Sequence, residues 1–312
     1  MKVIYWTGSL NKFKAKAKVV AVGVFDGVHL GHQMILRRVV KEARRSSIAS
    51  AVVTFSYHPS HLFDPLQKIP HLTSLEHKIS FIAAQGIDYC YVVNFDRAFA
   101  SMTPELFIKG ILLKKIGMVS MYVGEDFMFG KGAKGGKDLL KVLSVKFHFK
   151  LRVLKHLKIG NRIVSSTFIR TLVRQGRLDQ AAHFLGRYVS ILGVVYKGEG
   201  LGAVLGYPTA NIMPHHEALV PDGIYATYSI YRGKVFPSVT YIGTRPTFRA
   251  PGLRRSIESF LFDFRKNIYG SRMEIQFVKK IRDDKKFHSA RELARAIEQD
   301  VHSARKILSA RH

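Results

Sequence analysis

Several stretches of this sequence combine residue types that can handle phosphate. The first is Gly23-Val24-Phe25-Asp26-Gly27-Val28-His29-Leu30-Gly31-His32. Gly23, Gly27 and Gly31 let backbone approach a ligand closely. His29 and His32 stand three apart at the start of a helical pattern, where amide donors and a positive dipole end favour phosphate. Phosphoryl and nucleotidyl transfer need positioned donors around a charged transition state more than covalent help from protein. The competing readings are a helix cap with a tight glycine turn, or zinc, for which no third ligand cluster stands nearby. A second stretch, Ser165-Ser166-Thr167-Phe168-Ile169-Arg170, reads by itself as a helix N-cap. A third runs from Gly198 through Gly202, Gly206 and Pro208 to Thr209-Ala210-Asn211. Glycine-rich backbone cradles phosphates. Thr209 and Asn211 are alternate residues, so in extended chain they face one side and their oxygens suit Mg²⁺ or a phosphate-bound water. A plain glycine-rich hairpin loop accounts for that spacing equally well. Glu258 sits in the apolar run Ile257–Phe264, where burying a carboxylate is costly unless it has a task or pairs with Arg254 or Arg255.

The elements that must position these residues follow from periodicity. Val19–Phe25, Ala51–Phe55, Tyr89–Phe95, Met118–Gly124 and Phe147–Leu154 read as strands, and 32–45 carries apolar residues at helical spacing. Thr103-Pro104-Glu105 starts a further helix. The alternation predicts a Rossmann-like, doubly wound parallel sheet. After Gly186 the pattern becomes strands at Ser190–Tyr196, Tyr225–Tyr231, Val235–Ile242, Ile257–Phe264 and Met273–Ile281. Turn residues separate them, which predicts a closed antiparallel β-barrel. A terminal helix begins at Ser289, with Glu292 completing a capping box. The boundary falls at 184/185, giving domains 1–184 and 185–312.

The chain has 312 residues, 47% of them hydrophobic, which suffices for two cores. No apolar run is long enough to span a bilayer, and residues 1–10 lack the pattern of a secretory signal. The single cysteine, Cys90, cannot form an intramolecular disulfide and reads as a buried, inert thiol; a cytoplasmic location is expected. The net charge of +28 implies attraction to polyanions or phosphorylated substrates. It is spread over Lys12, Lys14, Lys16, Lys18, Arg37, Arg38, Lys41, Arg44, Arg45 and beyond, as expected of a solvated surface, and no nucleic-acid-binding motif accompanies it.

His29-Leu30-Gly31-His32 resembles the signature of the nucleotidylyltransferase superfamily, and Ser165–Arg170 resembles its second, Ser/Thr-x-x-Arg signature. The resemblance implies catalytic roles for His29 and His32. It also implies an ATP grip by Gly23, Phe25, Asp26, Gly27, Gly31, Ser165, Ser166, Thr167 and Arg170. Thr54–Pro59 and Gly124–Gly130 are similar to segments of the FMN adenylyltransferase module of bacterial FAD synthetases. That similarity implies flavin contacts from His58, Pro59, Asp126, Phe127 and Phe129, although core packing explains the aromatics as well. The stretch ending Pro208-Thr209-Ala210-Asn211 resembles the riboflavin kinase signature, and Glu258 lies where that family has its catalytic base. Nearly the whole chain thus resembles the bifunctional riboflavin kinase/FAD synthetases. The implied activity is ATP- and Mg²⁺-dependent conversion of riboflavin to FMN and of FMN to FAD. The resemblance leaves a single-activity nucleotidyltransferase on another phosphate ester, or a basic nucleic-acid-binding protein, as the alternatives. Leu201 and Ala203 replace the arginines usual around Gly202, Tyr241 replaces an asparagine, and Asp284 a glutamate.

Overall fold

The computed structural model describes residues 1–6, 16–56, 69–198, 200–216, 220–246 and 253–310. By packing, the chain forms two units: Met1–His71 with Leu75–Ser166, and Leu72–Ser74 with Thr167–His312. Residues 167–184, assigned by sequence to the first domain, therefore pack with the second; the helix Leu178–Leu185 lies on barrel strands.

Among the described residues of the first unit, six parallel strands form one sheet: β1 Lys2–Trp6, β2 Lys18–Val22, β3 Ala49–Phe55, β4 Tyr89–Val93, β5 Met118–Gly124 and β6 Lys150–Leu154, in the order β1-β4-β3-β2-β5-β6. Alternation divides each strand between two cores. Val19 and Ala21 face one with Leu36, Val39, Val40 and Ala43 of helix α1 (Leu30–Arg45), whereas Val20 and Val22 face the other. Helix α2 (Leu75–Ala83) contributes Ile82 to the first core. The second core takes side chains from α4 (Leu106–Ile116, wound as a π-helix) and α5 (Lys137–Lys146); a short α3 (Arg97–Ala100) precedes them. The Thr103 hydroxyl accepts the Leu106 amide at 3.2 Å, the cap its sequence suggested. The chain proceeds in opposite directions from β2, to β3 on one side and β5 on the other. The C-terminal end of β2 is thus a topological switch point, where open α/β sheets bind ligands.

Two short strands, β7 (Lys158–Ile159) and β8 (Arg162–Ile163), lead to α6 (Ser166–Arg174) and α7 (Leu178–Leu185). The second unit is a closed barrel of β9 Val189–Tyr196, β10 Ala210–Pro214, β11 Gly223–Tyr231, β12 Lys234–Pro246, β13 Leu253–Leu261 and β14 Arg272–Arg282. A short α8 (Leu201–Val204) interrupts the glycine-rich loop, and α9 (Ala290–Ser309) packs on the barrel. Arg232 and Gly233 both have positive φ and turn β11 into β12 as a two-residue hairpin. The barrel interior contains a polar patch. Thr227, Ser229, Ser238, Thr240 and Ser259 are fully buried and hydrogen-bond one another at 2.8–3.0 Å. Ser289 caps α9, accepting the Glu292 amide at 3.2 Å. Arg282 grips the buried Asp300 of α9 with two bonds, of 2.9 and 2.7 Å.

Sequence reading missed β1, β10 and the two-residue strands β7 and β8. It also placed Lys18 among solvated charges. Lys18 is buried, and its ammonium donates to the carbonyls of Lys16 and Ile116 at 2.9 Å each. The exposed face of α1 does carry Arg37, Arg38, Lys41, Arg44 and Arg45. Among the described residues, no helix is long and apolar enough to cross a membrane.

Candidate active sites

The first phosphate-type stretch leaves β2 at the switch point and winds tightly before α1. Phe25 and Val28 both adopt positive φ, at 53° and 38°, and Gly27 lies at 76° between them. Non-glycine residues hold such values only when their surroundings over-determine them. Here they do so through the carbonyls of the turn. The Val24 carbonyl accepts from Thr54 at 3.0 Å and Lys78 at 3.2 Å, the Val28 carbonyl from Gln33 at 3.0 Å, and the Asp26 carbonyl from Ser166 at 2.9 Å. That last bond brings the second stretch to the first. Gly31 is tight for a related reason: a methyl there would press on the His29 ring at 3.2 Å.

His29 is the N-cap of α1. Its Nδ1 accepts the His32 amide at 3.3 Å. An accepting ring nitrogen carries no proton, so a neutral His29 bears its N–H on Nε2. The His29 and His32 rings stack at 3.6 Å with 16° between planes, and Phe25 meets His32 edge-on at 5.2 Å. The two imidazoles are thereby held as one block. Asp26 is buried, with the His71 Nδ1 at 3.9 Å from its carboxylate.

Beside α1 lies a cleft of about 410 Å³ lined by Met34, Arg38 and residues 153–158. Its floor is apolar (Met34, Val153, Leu154, Leu157) and its rim cationic (Arg38, Lys155, Lys158), a combination suited to a flat ring attached to phosphates. The His156 amide donates to Glu125 at 2.8 Å and holds that half-buried carboxyl below its ordinary range. The His156 ring stands 3.8 Å from Asp126. Asp126 is exposed and Phe127 half-buried, while Phe129 is buried in the core and stacks on Phe127 at 5.6 Å. Phe129 thus forms the floor under Phe127. Ser165 is half-buried. Thr167 is exposed and Arg170 half-buried on α6, which belongs to the second unit. His58 and Pro59 lie outside the described residues.

In the barrel, Asn211 of β10 is the direct cross-strand partner of Glu258 on β13, and Tyr241 of β12 flanks Glu258 on the other side. The Thr209 hydroxyl points at the Glu258 carboxylate at 3.4 Å, and Ser256 donates to its other oxygen at 3.0 Å. Glu258 is half-buried rather than sealed in, so its carboxylate carries little desolvation cost. Arg255 bonds instead to Asp222, at 3.0 Å through Nε. Gly198 packs against the Asn211 carboxamide, and Gly202 against the Tyr207 carbonyl with Thr209 just beyond, so both glycines are needed for close approach. Gly206 has φ of 88°, a left-handed value that favours glycine, and Pro208 is exposed beside it. Tyr241 and Asp284, two of the residues that depart from the family pattern, bond to each other at 3.1 Å.

A nucleotide-binding α/β module at a switch point, joined to a barrel with a carboxylate, a threonine and an asparagine on one patch, defines a two-site phosphotransfer enzyme. Comparison with known proteins agrees. Residues 11–168 match the FAD synthetase family model and residues 185–308 the riboflavin kinase model. The bifunctional riboflavin kinase/FMN adenylyltransferase of Escherichia coli K12 is 34% identical over 98% of this chain and 97% of its own. That of Bacillus subtilis is 34% identical over 99% of each, and that of Buchnera aphidicola from Schizaphis graminum 33% identical over 98% of each. A solved Streptococcus pneumoniae chain described as a macrolide-efflux protein superposes with a TM-score of 0.85, at 26% identity, over 98% of this chain and 99% of its own. The chain belongs to the bifunctional riboflavin kinase/FMN adenylyltransferase family. It phosphorylates riboflavin to FMN and adenylylates FMN to FAD, with ATP and flavins as substrates.

Signals for several site residues were absent from sequence. Lys78 acts on the turn from a separate element, and no local motif links it to the turn. The cleft residues Met34 and Arg38 read simply as parts of an amphipathic helix.

Proposed function

We propose that the two reactions divide between the sites, with a functional boundary at 184/185. Adenylylation takes place at the Gly23–His32 turn. There the FMN phosphate attacks the α-phosphorus of ATP, one P–O bond forms, and pyrophosphate leaves with the electron pair of the broken bond. The His29 Nε2–H and the stacked His32 stabilise charge on the reacting phosphate. Gly23, Phe25, Asp26, Gly27 and Gly31 with Ser165, Ser166, Thr167 and Arg170 hold the nucleotide, whose base takes the apolar cleft floor. His58, Pro59, Asp126, Phe127 and Phe129 serve the flavin, Phe129 from beneath.

Phosphorylation takes place at the barrel site. Glu258 accepts the proton of the riboflavin 5′-hydroxyl as that oxygen attacks the γ-phosphorus and ADP leaves. Thr209 and Asn211, backed by Gly198, Gly202, Gly206 and Pro208, hold the nucleotide in line. The neutral oxygens of Thr209 and Asn211 beside the Glu258 carboxylate fit a hard cation that keeps most of its ligands from phosphate and water. Mg²⁺ bound there supplies charge neutralisation on the phosphates. The substrates are small molecules of the cytoplasm, and the positive surface is a solvated one that attracts their phosphates, not a nucleic-acid interface.

The observation that supports this division most strongly is the cross-strand pairing of Asn211 with Glu258, with the Thr209 hydroxyl alongside. Its test is Glu258→Gln, which keeps size but removes the base. Riboflavin phosphorylation falls by about 10²-fold or more, the usual scale for general-base loss. FAD formation from supplied FMN continues at the parental rate. Normal FMN formation by the variant would remove Glu258 as base, and lost adenylylation in a folded variant would merge the two sites.

A further inference from the structure

Lys78 is 4% exposed, on α2, and no part of the two reactions as written uses it. Its ammonium donates to the carbonyl of Phe55 at 2.7 Å and to that of Val24 at 3.2 Å, so it ties the end of β3 to the loop after β2. Val24 immediately precedes Phe25, the first residue of the turn with positive φ. An ammonium without a carboxylate in hydrogen-bond range is an expensive thing to bury, and a fold that needed only to fill this space would use an apolar side chain. The titratable groups that act on it are the Asp26 carboxylate, across the turn, and the neutral Cys90 thiol of β4. Asp26 is itself approached by His71, and Thr54 of β3 shares the Val24 carbonyl. His77, next to Lys78 on α2, is also buried, and its ring meets that of Phe81 at 4.2 Å with a 33° tilt.

We infer that Lys78 is a positioning residue for FMN adenylylation: its ammonium clamps the Val24 carbonyl and balances Asp26, holding the strained Phe25–Val28 turn in the shape that presents His29 and His32. The inference rests on adenylylation occurring at that turn. The clamp needs the charged amine. Burial lowers the Lys78 amine from its ordinary value to about 8, with Asp26 opposing the shift. The sign follows directly. Below that pH the amine is charged and the turn is clamped; as pH rises through it, the clamp neutralises and adenylylation declines. Cys90, pushed up to about 12 by burial, stays a neutral thiol throughout and cannot be the source of such a limb.

The test is the rate of FAD formation from FMN and ATP between pH 6.5 and 9.5, beside the rate of riboflavin phosphorylation by the same chain. The parental enzyme is expected to lose adenylylation on an alkaline limb near pH 8 that the kinase reaction lacks. Lys78→Met is expected to lower kcat for adenylylation by roughly 10²-fold, the scale of a misplaced catalytic group, with a smaller change in KM, and to abolish the limb. The single tryptophan, Trp6, lies in the core of the same unit, so its fluorescence reports that the variant is folded. Kinase activity should be unchanged. No alkaline limb in the parental enzyme, a limb that persists in Lys78→Met, or parental adenylylation by a folded Lys78→Met would each overturn the inference. His29→Ala is the reference arm. If it adenylylates normally, the turn is not the site; if it fails while Lys78→Met does not, only the clamp is refuted.

Discussion

Replacing His29 separates the cap its ring forms from the donor role proposed for it. As N-cap it has extended backbone, at φ −69° and ψ 172°, and satisfies the His32 amide through Nδ1. As a ligand it offers Nε2–H. Loss of a cap costs about 1 kcal/mol, within a range of about 0.5–2. In a unit of this size that lowers the melting temperature by about 2–4 °C. Loss of one preorganised donor costs about 2.7–4 kcal/mol of barrier, or about 10²–10³ in rate. Alanine removes both functions, whereas asparagine is among the best caps and restores only the first. His29→Ala is therefore expected to melt a few degrees early by Trp6 fluorescence and to make FAD roughly 10²–10³ times more slowly. His29→Asn should melt near the parental temperature and remain as slow as the alanine variant. If His29→Asn makes FAD at the parental rate, the ring is only a cap and the transfer chemistry lies elsewhere.

Two further substitutions probe the second unit. A methyl at Gly198 would overlap the Asn211 carboxamide, so Gly198→Ala should slow riboflavin phosphorylation by at least about 10-fold while FAD formation from FMN continues; an unchanged kinase rate would release Asn211 from its assigned position. Asp300→Ala leaves Arg282 without its bidentate partner, and because Arg282 is 24% exposed the loss should be about 2–4 kcal/mol, below the full cost of breaking a buried pair; denaturant unfolding followed through kinase activity measures it, and a change under about 1 kcal/mol would show the pair to be dispensable.

Much of this architecture could be read from residue order because local and tertiary preferences agree. Met118–Gly124 was predicted to the residue, and the Ser289 and Thr103 caps sit where their side chains implied. The two longer strands that were missed share a physical reason, while β7 and β8, of two residues each, are too short to carry a pattern. Residues 2–6 form an edge strand whose Tyr5 is exposed, so they carry no clear buried pattern. Residues 210–214 begin inside the phosphate-type motif, and Met213 is exposed. Lys18 misled for the opposite reason, since a buried lysine solvated by carbonyls has no sequence signature. At the sites, sequence revealed the residues that resemble a motif and concealed those that hold them. His29 and Asn211 are legible, but Lys78 acts on Val24 from 54 residues away.

The five hydroxyls inside the barrel bear on how this chain can change over generations. Each of Thr227, Ser229, Ser238, Thr240 and Ser259 is donor or acceptor to at least two of the others. Replacing any one by valine or alanine takes from each of two neighbours one of its two hydroxyl partners and leaves the other, at about 0.5–1.5 kcal/mol for each bond lost. Replacing all together would be nearly neutral, as an apolar interior needs no partners. Each single replacement therefore weakens two other hydroxyls, whereas joint replacement removes the need for partners altogether. Ser259 adjoins Glu258 in β13, so the strand that carries Glu258 shares this mutual dependence, and drift in the barrel should proceed around that patch rather than through it.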